Sequence, residues 1–323
     1  MPFSIAVDGP RVLIADGGTG TVGQLQPDGS ITPVVTGVDG VAGVAVRGKW
    51  LAYTSTHTDF DTFTNTASGL NIRTPQGTTV YADTHAFERA NNPDQINTYG
   101  VASADPCVQA VLGPQYTGGV DSHAYNVASW NGRWIVADAG ANALLTVDDA
   151  GTVSTLAVLP PQPAEITAEV VAALGMPDCV AGVTYAFEPV PTDVEVGADG
   201  MLYVTTLPGG PESAALGARG SVYRVDPNTG VSGRVATGFL GATNLAIGKN
   251  GEIYVTELFG GQVSVLRGGV VSPFAALPGA VSVATGANGR VWVATMANED
   301  PAAPGTIVSI SNGKVKVQGK VTH

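Results

Sequence analysis

Apolar and polar residues alternate in short runs along almost the whole chain. The runs come in pairs joined by a glycine turn. FSIAVDGPRVLIADGG begins at Phe3, AGVAVRGKWLAYTS at Ala42 and YNVASWNGRWIVADAG at Tyr125. TDVEVGADGMLYVTTL begins at Thr192, TNLAIGKNGEIYVTEL at Thr243 and VSVATGANGRVWVATM at Val281. Two further strand-like segments follow each pair, such as TVGQLQ and ITPVVT, or SVYRVD and GRVATG. A period of two marks half-buried strands. GADG, GKNG and GANG supply the positive φ that a hairpin turn requires. Six copies of a four-stranded unit at roughly 40–50-residue spacing predict a six-bladed β-propeller. A long β-sandwich accounts for the alternation but not for the sixfold repetition. The blades are expected at about 3–37, 41–83, 121–160, 190–239, 242–279 and 280–321. They form one domain over 1–323, with insertions at 83–122 and 157–190.

In a propeller the link into each first strand and the loop between second and third strands share one face, here called the top. The long irregular stretches all fall there: loops at 55–69, 206–220 and 296–305, and links at 83–124 and 157–191. Long loops gathered on one end of a rigid scaffold carry function. THAFERANN, with Thr84 as a cap, and EITAEVVAAL, ending at Gly175, are the helices expected within them.

Composition narrows the partners. Of 323 residues 44% are apolar and 13% charged, with 43 Gly and 21 Pro, as short strands and tight turns require. The net charge of −12 opposes binding to nucleic acid or to an anionic membrane. No run approaches the ~20 apolar residues of a membrane span. A small-molecule ligand and a monomer are the expectation. Two cysteines in a chain of this size are ordinarily inert buried thiols. Cys107 and Cys179, however, lie one in each of two links that flank blade 3 and meet on the top face. A disulfide is therefore expected, and with it an oxidising compartment, export and a leader removed ahead of residue 1.

The candidate chemistry gathers on the same face. DSHAY, at 121–125, has no counterpart in the other blades, whereas VADAGANALL matches LIADGGTGTV of blade 1. Asp138 and Asp16 are thus repeat residues that tie loop backbone, and His123 is the candidate acid, base or metal ligand. His57, His85 and His123 all map to the top of blades 2 and 3, as a zinc-type set would. The alternative is three unrelated histidines. His323 is terminal and is set aside. Aligned first strands begin with Ser4, Gly43, Asn126, Asp193, Asn244 and Ser282. Two residues on, the column is alanine except for Glu195. Asp193, Asn126 and Asn244 are oxygen ligands suited to Ca²⁺ or Mg²⁺ ahead of Zn²⁺; the alternative is a channel filled with ordered water. Asp193 and Glu195 join His123 as catalytic candidates. His57, Phe60, Tyr125, Asn126, Asn244 and Glu257 are the ligand-binding candidates, Phe60 within the loop HTDFDTF at 57–63. The chain has no P-loop, GxSxG elbow, CxxC or basic patch.

FERANNPDQ, VADAGANALLTVD and FEPVPTDVEVGADGMLYVTTL together resemble the ScyD/ScyE-type family from about blade 2 to blade 6. That family takes its name from proteins encoded with the genes for scytonemin, an extracellular aromatic pigment. More broadly the AVDG…LIADGG units look like NHL-type repeats. The resemblance implies an exported six-bladed propeller. Two functions fit. One is an extracytoplasmic lyase, hydrolase or oxidative-coupling enzyme acting on a small, aromatic molecule in a top-face pocket. The other is a non-catalytic binding or scaffold propeller using the same face.

Overall fold

The computed structural model describes residues 1–211, 214–296 and 305–321. These residues form six four-stranded antiparallel sheets arranged in a ring: Pro2–Val35, Val44–Asp83, Ala124–Val158, Pro191–Phe239, Ala242–Ala276 and Ala280–Val321. Each sheet is built from consecutive strands, innermost first. The six-bladed propeller of the sequence pattern is the fold. His323 and most of the 296–305 loop lie outside the described residues.

The alternation has a direct consequence for the core. One apolar face of each sheet packs on the facing side of the next, so the core is six seams. Leu70 and Ile72 of blade 2 meet Trp134 and Val136 of blade 3. Ile135 and Leu144 of blade 3 meet Val194 and Val204 of blade 4. The ring closes where Ile5 and Ile14 of blade 1 pack on Val281 and Ile307 of blade 6. Among the described residues no strand is exchanged across that seam, and apolar side chains pack along it.

Five of the six first strands carry a register shift just before the residue that begins the inner column. The shifts fall at Pro2/Ser4, Ala124/Asn126, Pro191/Asp193, Ala242/Asn244 and Ala280/Ser282. A bulge re-aims the side chain that follows it, here toward the axis. Blade 2 has Gly43 instead. A Cβ on Gly43 would lie 2.6 Å from Asn126 Cα and 2.8 Å from the Tyr125 carbonyl oxygen. Threonine hydroxyls stitch neighbouring blades. Thr54 donates to the Tyr125 carbonyl, Thr192 to that of Ala242 and Thr243 to that of Val281.

The insertions build a cap. Helix α1 (Thr84–Asn91) starts on Asp83, whose carboxylate accepts from Ala86 N–H, so the cap is Asp83 and not Thr84. Helix α2 (Pro106–Leu112), unforeseen in the sequence pattern, starts on Asp105 with proline at its first position. Helix α3 (Ala168–Leu174) starts on Thr167 and ends at Gly175, whose φ of 62° needs no Cβ. Short strands Thr98–Tyr99 and Tyr116–Thr117 pair with each other, as do Gln162–Ile166 and Val183–Phe187. A bridge between Gly100 and Ala186 joins the two pairs. The Cys107–Cys179 disulfide links the insertions covalently, with Cα atoms 6.3 Å apart. A separate apolar cluster around Val101, Val108, Ile166 and Val171 fills the cap. Residues 55–69 are not an irregular loop. They belong to a long hairpin, Trp50–Asp59 paired with Thr64–Arg73, in which threonine-rich, largely polar segments extend the two strands outward.

Candidate functional site in the cap

The inner column closes the top of the channel. Ser4, Asn126, Asp193, Asn244 and Ser282 are each at most 3% exposed. Their oxygens are largely spent on the protein. Asp193 accepts from its neighbour Val194 N–H and from Leu245 N–H of the next blade, both at 2.8 Å. Asn244 accepts from Val283 N–H of the blade after that. Asn126 accepts from Val127 N–H and from the Ser4 hydroxyl. Below this plug lies a channel cavity of about 300 Å³. Asp8, Asp193 and Glu195 contribute to its wall, and among the described residues no Lys or Arg does. Burial pushes the Glu195 carboxyl up to about 7. Burial and then the adjacent Glu195 charge push Asp193 up as well.

The three histidines have separate surroundings. His57 is exposed on the blade 2 hairpin, its Nδ1 paired with Asp39. His85 lies in α1 with a buried, unpartnered Nδ1. His123 stacks edge-on against Tyr125, ring centres 5.5 Å apart. Burial lowers its pKa against the opposing pull of Asp138 and Asp121. It lines neither the channel nor the cap cavity described below. Among the described residues no group of three or more His, Cys, Asp or Glu is placed to hold a metal ion.

The unrepeated DSHAY segment is anchored by a repeated residue. Asp138, fully buried, accepts from the Ser122 hydroxyl at 2.7 Å, from His123 N–H at 2.6 Å and from Ala141 N–H at 3.2 Å. Asp16 ties Gly18 and Thr19 in blade 1 in the same way. Glu257 ends the second strand of blade 5, where Asp16 and Asp138 end theirs. It accepts from Leu240 N–H, Gln262 and the Ser264 hydroxyl. Phe60 stands 76% exposed at the hairpin tip. Tyr125 is half-buried between Phe3 and His123.

The larger cavity, about 640 Å³, lies in the cap and was not singled out in the sequence. Leu112 of α2, Val170 and Leu174 of α3, and Met176, Ile166 and Leu216 make its apolar wall. Tyr185 and Phe187, ring centres 4.6 Å apart, form one side. Tyr116 and Glu188 make the polar end, where the Tyr116 hydroxyl donates to Glu188 Oε1 at 2.9 Å. Asn142 Nδ2 donates to Glu188 Oε2 at 3.2 Å and to Asp94 at 2.8 Å. Burial and the Glu188 charge hold the Tyr116 hydroxyl in its protonated form, its pKa raised. Arg219 stacks on Phe187 at 4.2 Å and faces a smaller cavity of about 150 Å³ next door. The available signal was weak: YAFEP alternates ring, small, ring, acid, which any strand can do.

No protein family and no curated protein matches the chain. Solved structures do match in fold. Virginiamycin B lyase from Staphylococcus aureus is 14% identical, with a TM-score of 0.53 over 98% of this chain and 84% of that one. A luciferin-regenerating enzyme is 10% identical, with a TM-score of 0.51 over 97% and 80%. A chain of a nidogen/laminin complex is 9% identical, with a TM-score of 0.56 over 97% and 93%. At such identities the likeness is one of architecture, shared by enzymes and by a protein–protein complex alike.

Proposed function

We propose that this propeller binds a small, largely apolar, ring-bearing molecule in the cap cavity. The observation that carries the reading is the cavity itself. It is of ligand size, walled by aliphatic and aromatic side chains, and has one compact polar end. Both insertions build it, and a disulfide holds them together. Among the described wall residues the polar side chains are Tyr116, Tyr185 and Glu188, a set that orients a ligand; this favours binding over catalysis by His123. The disulfide supports an exported protein, and among the described residues no helix is long and apolar enough to cross a membrane. Fluorescence anisotropy with 1-pyrenemethanol tests the proposal. Leu174→Trp, which fills the cavity, weakens binding about tenfold or more by steric exclusion. Val231→Trp, on an exposed turn, leaves it unchanged. Equal loss in both variants, or in neither, counts against the cap cavity.

A second reading concerns the channel, where carboxylates gather without a basic residue among the described wall residues. A divalent cation held by Asp193 and Glu195, with Asn126 and Asn244 beside them, offsets that charge. Chelation then lowers the melting temperature, and Ca²⁺ or Mg²⁺ restores it. A melting curve indifferent to chelator, in native protein and in Glu195→Gln alike, leaves a water-filled channel sharing a proton between the two carboxyls.

A further inference from the structure

We infer that the molecule held in the cap cavity is an apolar amine, cationic at neutral pH, with its ammonium group at Glu188. The inference rests on the cap cavity being the ligand site and adds the chemical class. Glu188 is the charged residue of the cavity wall among those described. Its position is fixed from several sides. Tyr116 and Asn142 each donate to one carboxylate oxygen, and the Glu188 carbonyl accepts from Gly209 N–H at 3.0 Å. Each carboxylate oxygen keeps further acceptor capacity. The donors Tyr116 and Asn142 are neutral, so the carboxylate has hydrogen bonds but no counter-charge within the cavity wall.

Filling the cavity expels water from Glu188, and three ligand types then fare differently. A neutral apolar ligand leaves the carboxylate desolvated and uncompensated. An anionic ligand adds repulsion. An ammonium group replaces the lost hydration with a charge-assisted hydrogen bond. The rings of Tyr116 and Tyr185 in the same wall reinforce the choice, because aromatic rings attract cations, whereas Phe187 already carries Arg219. The net charge of −12 draws cations toward the molecule before they reach the site. Arg219 works in the opposite sense, being stacked on Phe187. Its Nη2 is held by the Pro208 and Gly209 carbonyls, and it belongs to the wall of the adjoining cavity.

The test uses three probes with one ring system: 1-pyrenemethylamine, 1-pyrenemethanol and 1-pyrenecarboxylate. Anisotropy is read at neutral pH in about 0.5 M NaCl, which screens the outer field. The amine is expected to bind about tenfold tighter than the alcohol, and the carboxylate more weakly than either. Glu188→Gln brings the amine to within about twofold of the alcohol, because the amine loses its charged partner and the alcohol no longer buries an unpaired charge. Should that variant not fold, Met176→Lys places a cation in the wall and weakens the amine selectively. Alcohol and amine binding equally, both sensitive to Leu174→Trp, overturns the amine and keeps the cavity. An amine preference that survives Glu188→Gln overturns the assignment to Glu188. No binding of any probe overturns the cavity reading as well.

Discussion

Two buried carboxyl groups near blade 3 are both pushed up by burial and differ in their hydrogen bonds. Asp138 is fully enclosed and accepts from three donors. Glu88, on α1, is also fully enclosed, but its oxygens have no close hydrogen-bond partner and only the weak opposing pull of the Asp121 backbone. Burial first, then the charges of Asp138 and Asp94, push the Glu88 carboxyl up to about 8. Below pH 4.5 folded and unfolded chains both carry the proton, and no stability is at stake. Between about 4.5 and 8 the unfolded chain ionises while the folded one does not, so stability falls as pH rises. From the group's ordinary 4.5 to pH 7 the loss amounts to about 3 kcal/mol. Urea unfolding of native protein and Glu88→Gln should therefore diverge by that amount between pH 4 and pH 7, with the variant favoured at the higher pH. Parallel pH profiles would show Glu88 ionised and hydrated in the fold.

At the scale of the element, the contrast is between five bulged first strands and the sixth. Where a bulge turns Asn126, Asp193 and Asn244 toward the axis, blade 2 omits the side chain altogether at Gly43. The space that a Cβ would need is taken by the Asn126 backbone and the Tyr125 carbonyl. Gly43→Ala must push blade 2 away from blade 3 and strain the stitch from Thr54 to Tyr125. The expected cost is about 2–3 kcal/mol. Gly119→Ala is the control, since open space surrounds it and its φ is not positive. Chemical denaturation measures both, and equal effects would mean that the inner ring has room to yield. The same scale explains α2. Its Asp-Pro start and Gly113 end stand in ADPCVQAVLG, but seven residues offer too short a stretch for a helical period to emerge.

For the whole molecule, six seams and one satellite cluster divide the stability. The seams close on themselves, whereas the cap is two insertions joined to each other by a β-bridge and one disulfide. The disulfide joins residues 72 apart. Replacing Cys107 and Cys179 by serine should cost about 4 kcal/mol by the chain-entropy estimate. The loss should appear locally. Amide exchange should quicken across 98–117 and 162–187 while the blade strands stay protected. Exchange that quickens equally in all six blades would mean that cap and ring unfold as one unit. A loosened cap should also bind 1-pyrenemethanol less well, which links the covalent bond to the proposed site.

The propeller was legible from residue order because its signal is local and repeated. Each blade states the same alternation and the same glycine turn, so six weak statements agree. The disulfide followed from placing two cysteines in adjoining insertions, and Asp16 and Asp138 from their shared position in the repeat. The candidate site was not legible in the same way. Tyr116 and Glu188 are 72 residues apart, yet meet in one hydrogen bond, and no period connects them. The inner column could be aligned from the repeat, but its oxygens turn to backbone N–H groups of their own and following strands, a choice made by the bulges and by the closure of the ring. His57, His85 and His123 share a face in the topology and differ in surroundings, because side-chain direction depends on packing that no single strand records. Local periodicity is written along the chain; cavities exist only where distant segments fail to fill the space between them, and only the assembled cap shows where that happens.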